Sequence, residues 1–263
     1  MMHQRHIIFI LFIILLFPSV IIISPIHLAT ADTITIVADK WPPYNGDPES
    51  PTPGYGIEIA QRIYEAEGHS VKYIIRPWIR AIRETRMGMH SAIIGAYKEN
   101  APDFIFPDES FGLSRNAFFV KRDNAWRFRN IESLASVKIG LIKDYNYGKD
   151  VDAFFKTHPK RLHYAFGEKA LWELIKCLDE NIINTTIEDE NVFIQKSSEM
   201  GITDKFINAG YSTSDGIEVY IAFSPKSPRS KEYARLFSEG IRKLKDSGEL
   251  DKILKKYKIS YWR

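Results

Sequence analysis

The chain has 263 residues, with 36 basic and 33 acidic side chains and a formal net charge of +3 at neutral pH. Because its Lys and Arg residues are spread along the chain rather than gathered in one patch, the composition does not indicate a nucleic-acid-binding protein. Cys177 is the single cysteine, which excludes an intramolecular disulfide. The fold must therefore be held together by its hydrophobic core.

The segment 1–31 has the layout of a secretory signal peptide. A basic start is followed by a long apolar run and by small residues at Ala29 and Ala31, just before Asp32. The alternative is an uncleaved membrane anchor, since the apolar run approaches the roughly twenty residues that span a bilayer. Two prolines interrupt the run, which favours cleavage. We therefore predict a periplasmic protein of about 230 residues, a length that suits one large or two small domains.

From Asp32 onwards, strand and helix patterns alternate. The segments TITIVAD, HSVKYIIR and HSAIIGA read as strands, and GIEIAQRIYEAEG and WIRAIRETRMG between them read as amphipathic helices. This order predicts βαβ units and a parallel sheet.

A second set of elements follows. VKIGLIKD, NTTIED and IEVYIAFSP read as strands, and YGKDVDAFFKTH, EKALWELIKCLDEN and NVFIQKSSEMG read as helices. The chain closes with two helices that are broken at Ser247 and Gly248. Two α/β halves predict a cleft between lobes, and ligands favour such clefts and the carboxyl ends of parallel strands.

Several stretches in this order carry a resemblance to a known family: KWPPYNGD, GYGIEIAQRI, RPWIRAI, MGMHSAIIGA, DFIFPDESF, YIAFSPKSP and LKDSGELDKILKKYKISYW. Together they resemble the family 3 extracellular solute-binding proteins of polar amino acid ABC transporters. The resemblance implies an α/β, two-lobe periplasmic binding protein of type II with a hinge and an interlobe ligand cleft. The implied parts are lobe 1 at 32–112 and 220–263, an inserted lobe 2 at 113–219, and hinge strands near Ser110–Ser114 and Glu218–Ala222.

The resemblance places two aromatic residues of the first lobe in the pocket, and the position of Asp39 adds a third candidate. Trp41 matches an aromatic that packs on the ligand, in a turn made rigid by two prolines, and the alternative is a tryptophan that caps the core. Trp78 matches a second aromatic across the pocket, and Asp39 lies at the strand end, where it would accept a ligand hydrogen bond. Arg80 points either into the cleft or to solvent.

The second lobe supplies four more candidates. Tyr147 and Gly148 lie where a strand leads into a helix, and free N–H groups at a helix start suit an anionic or carbonyl group; the alternative is an ordinary strand–helix turn. Glu188 and Asp189 match the strand end whose acidic residue holds the ligand's amino group in this family, with Asp189 favoured. The alternative is that Asp189 caps the helix that starts at Asn191.

One position departs from the family pattern. Asn100 stands where amino-acid-binding members carry the arginine that grips the ligand's α-carboxylate. An amide carries no charge and does not offer the planar two-pronged fork of a guanidinium. We therefore predict a cationic or amine-bearing solute rather than a standard α-amino acid, unless Arg80 or Arg115 replaces the missing arginine.

The function implied by the resemblance is that of an exported, monomeric receptor without a cofactor. It would capture a small polar solute by hinge closure and deliver it to an ABC transporter permease. The histidines show no metal-ligand spacing. Two alternatives stay open because a fold does not fix a function: an enzyme resembling the dehydratases of cyclic acids, with Glu188 as the acid or base, and a ligand sensor for a separate signalling receptor.

Overall fold

The computed structural model describes residues 31–213 and 215–260. The predicted signal peptide lies outside this part of the chain apart from its last residue, Ala31. No helix within the described ranges combines the length and the apolar character needed to cross a bilayer.

Ten strands run through the described residues: β1 (Thr33–Ala38), β2 (Ser70–Ile75), β3 (Ala92–Ala96), β4 (Gly112–Ser114), β5 (Asn116–Lys121), β6 (Ile139–Ile142), β7 (Leu162–Ala165), β8 (Thr185–Asp189), β9 (Phe206–Tyr211) and β10 (Ile217–Phe223). The same part of the chain forms seven α-helices: α1 (Tyr55–Ala66), α2 (Trp78–Arg86), α3 (Lys149–Thr157), α4 (Ala170–Asp179), α5 (Glu190–Glu199), α6 (Ser230–Asp246) and α7 (Glu249–Lys256). Every helix predicted from the sequence is confirmed.

The strands form two five-stranded sheets. The first has the order β2-β1-β3-β10-β4, and the second has the order β7-β6-β8-β5-β9. Strands β1, β2 and β3 are parallel to one another, as are β6, β7 and β8, which confirms the βαβ reading. Two α/β layers built on separate sheets match the predicted fold class.

Both sheets also contain antiparallel strands, so each sheet is mixed. Strand β10 runs antiparallel to β3 and β4, and β5 runs antiparallel to β8 and β9. A single residue, Arg115, joins β4 at the edge of the first sheet to β5 in the second sheet. The chain therefore passes straight from one sheet into the other, and it enters the second sheet antiparallel to β8.

The sequence reading assigned no strand at β5, β7 or β9. Strands β7 and β9 are the two edges of the second sheet, and most of their residues are only half-buried. An edge strand without clean alternation carries little periodic signal. Strand β9 also contains Gly210 at a φ of 132°, which weakens its strand propensity further.

The chain crosses between the sheets at Arg115, and it returns to the first sheet between the end of β9 at Tyr211 and the start of β10 at Ile217. The predicted hinge strands lie directly beside these crossings, in β4 and β10. The predicted lobe boundaries at 112/113 and 219/220 fall inside these two strands, and the division into moving lobes stays a prediction.

The hydrophobic core of the first sheet lies between that sheet and helices α1, α6 and α7. Helix α1 buries Ile57, Ala60, Ile63 and Tyr64, the face predicted from its periodicity. The ring of Tyr64 contacts those of neighbouring aromatic residues in edge and tilted geometries at 6.1–6.4 Å. Full burial of one such aromatic side chain contributes roughly 1.5–3 kcal/mol. The predicted helix break is confirmed at Gly248, whose φ of 72° ends α6 in the left-handed region.

Candidate functional site

The turn after β1 forms one wall of the cleft. The backbone N–H of Trp41 donates to the carbonyl of Asn45 at 2.7 Å, which closes a tight loop around the two prolines. The indole of Trp41 stacks on Tyr44, with ring centroids 4.1 Å apart and planes 15° apart. Trp41 is only 9% exposed and belongs to the hydrophobic core of the first sheet. It therefore both supports the core and lines the cleft.

Trp78 stands at the start of α2, just after the carboxyl end of β2, and its half-buried ring lines the same cavity as Trp41. Arg80, two residues later, is exposed, and its Nε donates to Glu84 Oε1 at 2.6 Å. The cleft does not include Arg80. Of the two orientations left open for this side chain, the structure shows the one towards solvent.

The second sheet contributes the loop between β6 and α3. The hydroxyl of Tyr145 donates to Asp39 Oδ2 at 2.5 Å, so this bond joins the two sides of the cleft. Tyr147 lines the cavity, but its backbone N–H donates to the carboxylate of Asp152. The N–H of Gly148 donates to Asn146 Oδ1 at 2.9 Å. Because protein side chains already use both N–H groups, the geometry does not favour the predicted anion site at this helix start.

Glu188 and Asp189 face in opposite directions, as consecutive residues of a strand do. Asp189 is fully buried. Its Oδ1 accepts from the backbone N–H groups of Asn191 and Val192, the first turn of α5, so the capping alternative is what the structure shows. Its Oδ2 accepts from the Tyr44 hydroxyl at 2.9 Å and from the Arg115 N–H at 3.0 Å. Asp189 lines neither of the cavities described below, whereas Glu188 lines both.

Glu188 points into the cleft and is 2% exposed. Its Oε1 accepts from the Trp41 indole N–H at 3.2 Å, across the cleft, and from the Asp189 N–H at 2.8 Å. Its Oε2 is buried without a hydrogen-bond partner. A second unpartnered buried acceptor is Asn45 Oδ1, whose amide is oriented by donation of its Nδ2 to Tyr73 and Asp39.

These side chains enclose a small cavity of about 40 Å³, which we call the aromatic cage. Its lining comprises Asp39, Trp41, Asn45, Trp78, Ile94, Gly95, Tyr97, Asn116, Tyr145, Asn146, Tyr147 and Glu188. Among the residues that the structure describes, no Lys, Arg or His lines the cage.

Gly95 in β3 makes the cage possible. Its φ is 84°, and a Cβ at this position would lie 3.1 Å from Asn45 Oδ1 and 3.5 Å from the Trp41 ring. A larger residue would therefore meet both a strained backbone and the floor of the cage.

The two carboxyl groups of the cage have shifted pKa values. Burial raises the pKa of Glu188 to about 8, with smaller contributions from the charges of Asp189 and Asp39. Loss of hydration in the cleft likewise raises the pKa of Asp39 to about 6, although the bond from Tyr145 acts in the opposite direction. At neutral pH and without a ligand, Glu188 is therefore mostly protonated and Asp39 mostly ionised.

Beyond the cage lies a wide groove between the two sides of the cleft, with a volume of about 940 Å³. We call it the outer groove. Five cage residues also line it, so the two spaces are continuous: Asp39, Trp41, Trp78, Tyr145 and Glu188.

Neither of the arginines proposed to replace the missing carboxylate clamp reaches the cage. Arg80 is paired on the surface, and the guanidinium of Arg115 lies over the Tyr211 ring at 4.0 Å. Asn100 ends a short 3₁₀ turn at Lys98–Asn100, and its side chain lies outside the described part of the structure. Its predicted role stays a prediction.

The sequence reading missed several cage residues, among them Asn45, Tyr97, Tyr145 and Asn146. Tyr97 directly follows β3, a parallel strand, so the rule that ligands gather at carboxyl ends of such strands would have found it. Tyr145 and Asn146 stand just before Tyr147 and Gly148, the two candidates predicted in the second lobe. Within the described ranges, no cluster of three or more His, Cys, Asp or Glu side chains is arranged to hold a metal ion.

No protein-family profile matches the sequence, and no curated protein matches it. Solved structures, in contrast, match most of the chain. A structure from the glutathione import system of Streptococcus mutans, which involves GshT and the cystine ABC importer TcyBC, has a TM-score of 0.71 at 18% identity and covers 88% of this chain and 97% of its own.

Two further structures are similar. A histidine kinase sensor domain that itself resembles periplasmic binding proteins has a TM-score of 0.71 at 19% identity, over 86% of this chain and 95% of its own. An ancestral amino acid-binding protein described as a precursor of cyclohexadienyl dehydratase has a TM-score of 0.65 at 16% identity, over 86% of this chain and 95% of its own. At these identities the likeness shows the fold. The chain therefore has the two-sheet α/β fold of the periplasmic binding proteins.

Proposed function

We propose that this protein is an exported solute-binding receptor that captures a small amine-bearing cation in the aromatic cage and delivers it to an ABC importer. The observation that carries the proposal is the unpartnered Oε2 of Glu188, buried in a cavity walled by aromatic rings and lined by no basic side chain. Periplasmic location, cleavage of the signal peptide, a monomeric state and the transporter partner are parts of the same proposal.

The cage has the chemistry that recognises a cation with N–H donors. A buried acceptor without a partner costs roughly 1–3 kcal/mol, and a bound ammonium would donate to Glu188 and to Asn45 Oδ1. The faces of Trp41, Trp78 and the cage tyrosines add cation–π attraction of roughly 0.5–2 kcal/mol per favourable contact. These terms act together on one charged head group.

The same cage is poorly suited to an α-carboxylate. A carboxylate in the cage meets the negative charge of Asp39, which is mostly ionised at neutral pH, and no guanidinium or ammonium in the described lining offsets it. The cyclic-acid dehydratase alternative has the same difficulty, because its substrate class also carries a carboxylate. The raised pKa of Glu188 suits acid–base chemistry, but the cage holds no cation to position an acidic substrate.

Closure of the cleft supports a receptor role. Three hydrogen bonds connect its two sides: Tyr145 to Asp39, Trp41 to Glu188, and Tyr44 to Asp189. A ligand in the cage would touch both sides and so favour this closed arrangement over an open one. A ligand sensor would use the same capture step, and uptake measurements on whole cells separate it from a transport receptor.

We expect each amine to bind more tightly than the amino acid from which it differs only by the α-carboxylate. Suitable pairs for calorimetry are 2-phenylethylamine with phenylalanine, agmatine with arginine, and cadaverine with lysine. The expected difference is at least about tenfold, or 1.4 kcal/mol. Submicromolar binding of any standard amino acid, undiminished in an Arg80→Ala, Arg115→Ala double variant, would contradict the proposal.

Trp78→Ala should weaken amine binding by about 3- to 30-fold through loss of one aromatic wall, the range that corresponds to the cation–π energies above. Trp78→Phe is the matched control, because it keeps a ring, and should retain most of the affinity. Trp41→Ala is less informative, because Trp41 is part of the core and its loss also destabilises the fold. Equal affinity of Trp78→Ala and the parent would remove Trp78 from the site.

A further inference from the structure

The aromatic cage is too small to hold a whole solute. A water molecule needs about 10–15 Å³ of cavity volume. A cage of about 40 Å³ therefore accepts a head group of only a few heavy atoms. Ligand pockets usually measure about 300–1,000 Å³. Most of any larger ligand must therefore lie elsewhere.

The outer groove is the space into which such a ligand would extend. It has a volume of about 940 Å³ and shares five lining residues with the cage. A molecule whose head occupies the cage would leave it past Trp78 and Tyr145, and its body would lie in the groove.

The groove presents apolar surface from both sides of the cleft. Ile79 of α2 is 54% exposed, Phe166 is 65% exposed, and Trp172 of α4 is 42% exposed, and all three line the groove. Large apolar side chains exposed together in a concave surface mark an interaction site more often than isolated ones do. Here all three line the groove that is continuous with the cage.

The charges on the groove do not favour a charged body. Four of its basic side chains pair with carboxylates at distances between 2.6 and 3.8 Å, namely Lys40 with Asp47, Arg76 with Glu84, Lys143 with Asp144, and Lys196 with Glu199. Because these pairs neutralise each other locally, the groove would select its occupant by shape and apolar area.

We propose that the natural ligand is an amphiphilic amine, with its cationic head in the aromatic cage and an apolar, aromatic or alkyl body on Phe166 and Trp172 in the outer groove. This inference rests on the proposed function, since it takes the cage as the site of the head group. The occupant is the body of the same ligand rather than a segment of the transporter, because the groove is continuous with the cage.

The test compares a head group alone with a head group that carries a body. Methylammonium represents the first, and 2-phenylethylamine and tryptamine represent the second; affinities are measured by calorimetry. We expect both arylamines to bind at least tenfold more tightly than methylammonium. A Phe166→Ala, Trp172→Ala double variant should lose at least tenfold in affinity for the arylamines and less than twofold for methylammonium.

Two controls make the outcomes distinct. Ile182→Ala removes an exposed apolar side chain that lies outside the groove and should change none of the affinities. Glu188→Gln should weaken all three amines. If the double variant binds arylamines like the parent, or weakens methylammonium equally, the body subsite is wrong while the cage stands. If Glu188→Gln has no effect or no amine binds, the proposed function itself fails.

Discussion

Glu188→Gln should lower the affinity for an amine by about ten- to hundredfold at pH 8.5, with little change in the fold. Hydrogen bonds to charged groups contribute roughly 1.5–3 kcal/mol, and each 1.4 kcal/mol is about tenfold in affinity. Glutamine keeps the shape of the side chain and an acceptor oxygen for Trp41 but carries no charge. Glu173→Gln, the same change on the exposed face of α4, is the matched control and should bind like the parent.

The same substitution should remove a pH dependence. Without ligand the pKa of Glu188 is about 8, and a bound ammonium stabilises the ionised carboxylate and lowers that pKa. Binding near neutral pH therefore releases a proton, and affinity rises between pH 7 and 8.5, a range above the pKa of about 6 of Asp39 in which methylammonium stays charged. Calorimetry in buffers of different ionisation enthalpy counts the proton. A parent protein that releases no proton, or a variant that still releases one, would contradict the assignment to Glu188.

The contribution of Glu188 to the stability of the ligand-free protein should fall as the pH rises, whereas the affinity for an amine rises. The pKa of Glu188 is raised from 4.5 to about 8 in the folded protein, so the folded state binds more protons than the unfolded state between these values. The contribution of Glu188 to stability is then fully present below about pH 4.5, and this contribution is lost as the pH rises towards 8. Ligand-free Glu188→Gln should gain in melting temperature over the parent as the pH rises. A gain of about 1 kcal/mol would appear as roughly 2–4 °C for a chain of this size.

Asp189→Ala should lower the free energy of unfolding by roughly 3–5 kcal/mol. Loss of a helix cap costs about 0.5–2 kcal/mol, and each buried donor left without its acceptor costs roughly 1–3 kcal/mol. The donors that lose their acceptor are the Tyr44 hydroxyl and the Arg115 N–H. The Tyr44 hydroxyl has the Leu113 carbonyl as a second acceptor, which keeps the total below the sum of these terms.

Urea unfolding measures this effect, and Asp150→Ala is the control. Asp150 is exposed in the first turn of α3, so its loss should cost no more than about 1 kcal/mol. If Asp189→Ala unfolds like the parent but no longer binds amines, Asp189 is a ligand residue and not a structural one. The two neighbouring carboxyls thus give opposite signatures, with binding lost at Glu188 and stability lost at Asp189.

These two residues also show where sequence reasoning stops. The resemblance places an acidic residue at the end of β8, but a strand alternates its faces with every residue, so an alignment uncertain by one position exchanges core and cleft. Hydrophobic periodicity recovered six strands, namely β1, β2, β3, β6, β8 and β10, and all seven helices. It could not recover β7 and β9, whose edge positions lack a buried face, nor the pairing of Tyr145 with Asp39, which depends on how the two sheets meet.

The single-residue link between β4 and β5 has a mechanical consequence. Arg115 donates its N–H to Asp189 and accepts a hydrogen bond from the N–H of Glu190, so this link is tied to the residues that follow Glu188. Points near a pivot travel little during a rotation, and points far from it travel in proportion to their distance. In the predicted hinge motion, Glu188 on β8 lies one strand from β5, whereas Phe166 follows β7, which lies three strands from β5. A body that reaches Phe166 would therefore contact a part of the second sheet that travels farther during closure than the part beside the head group.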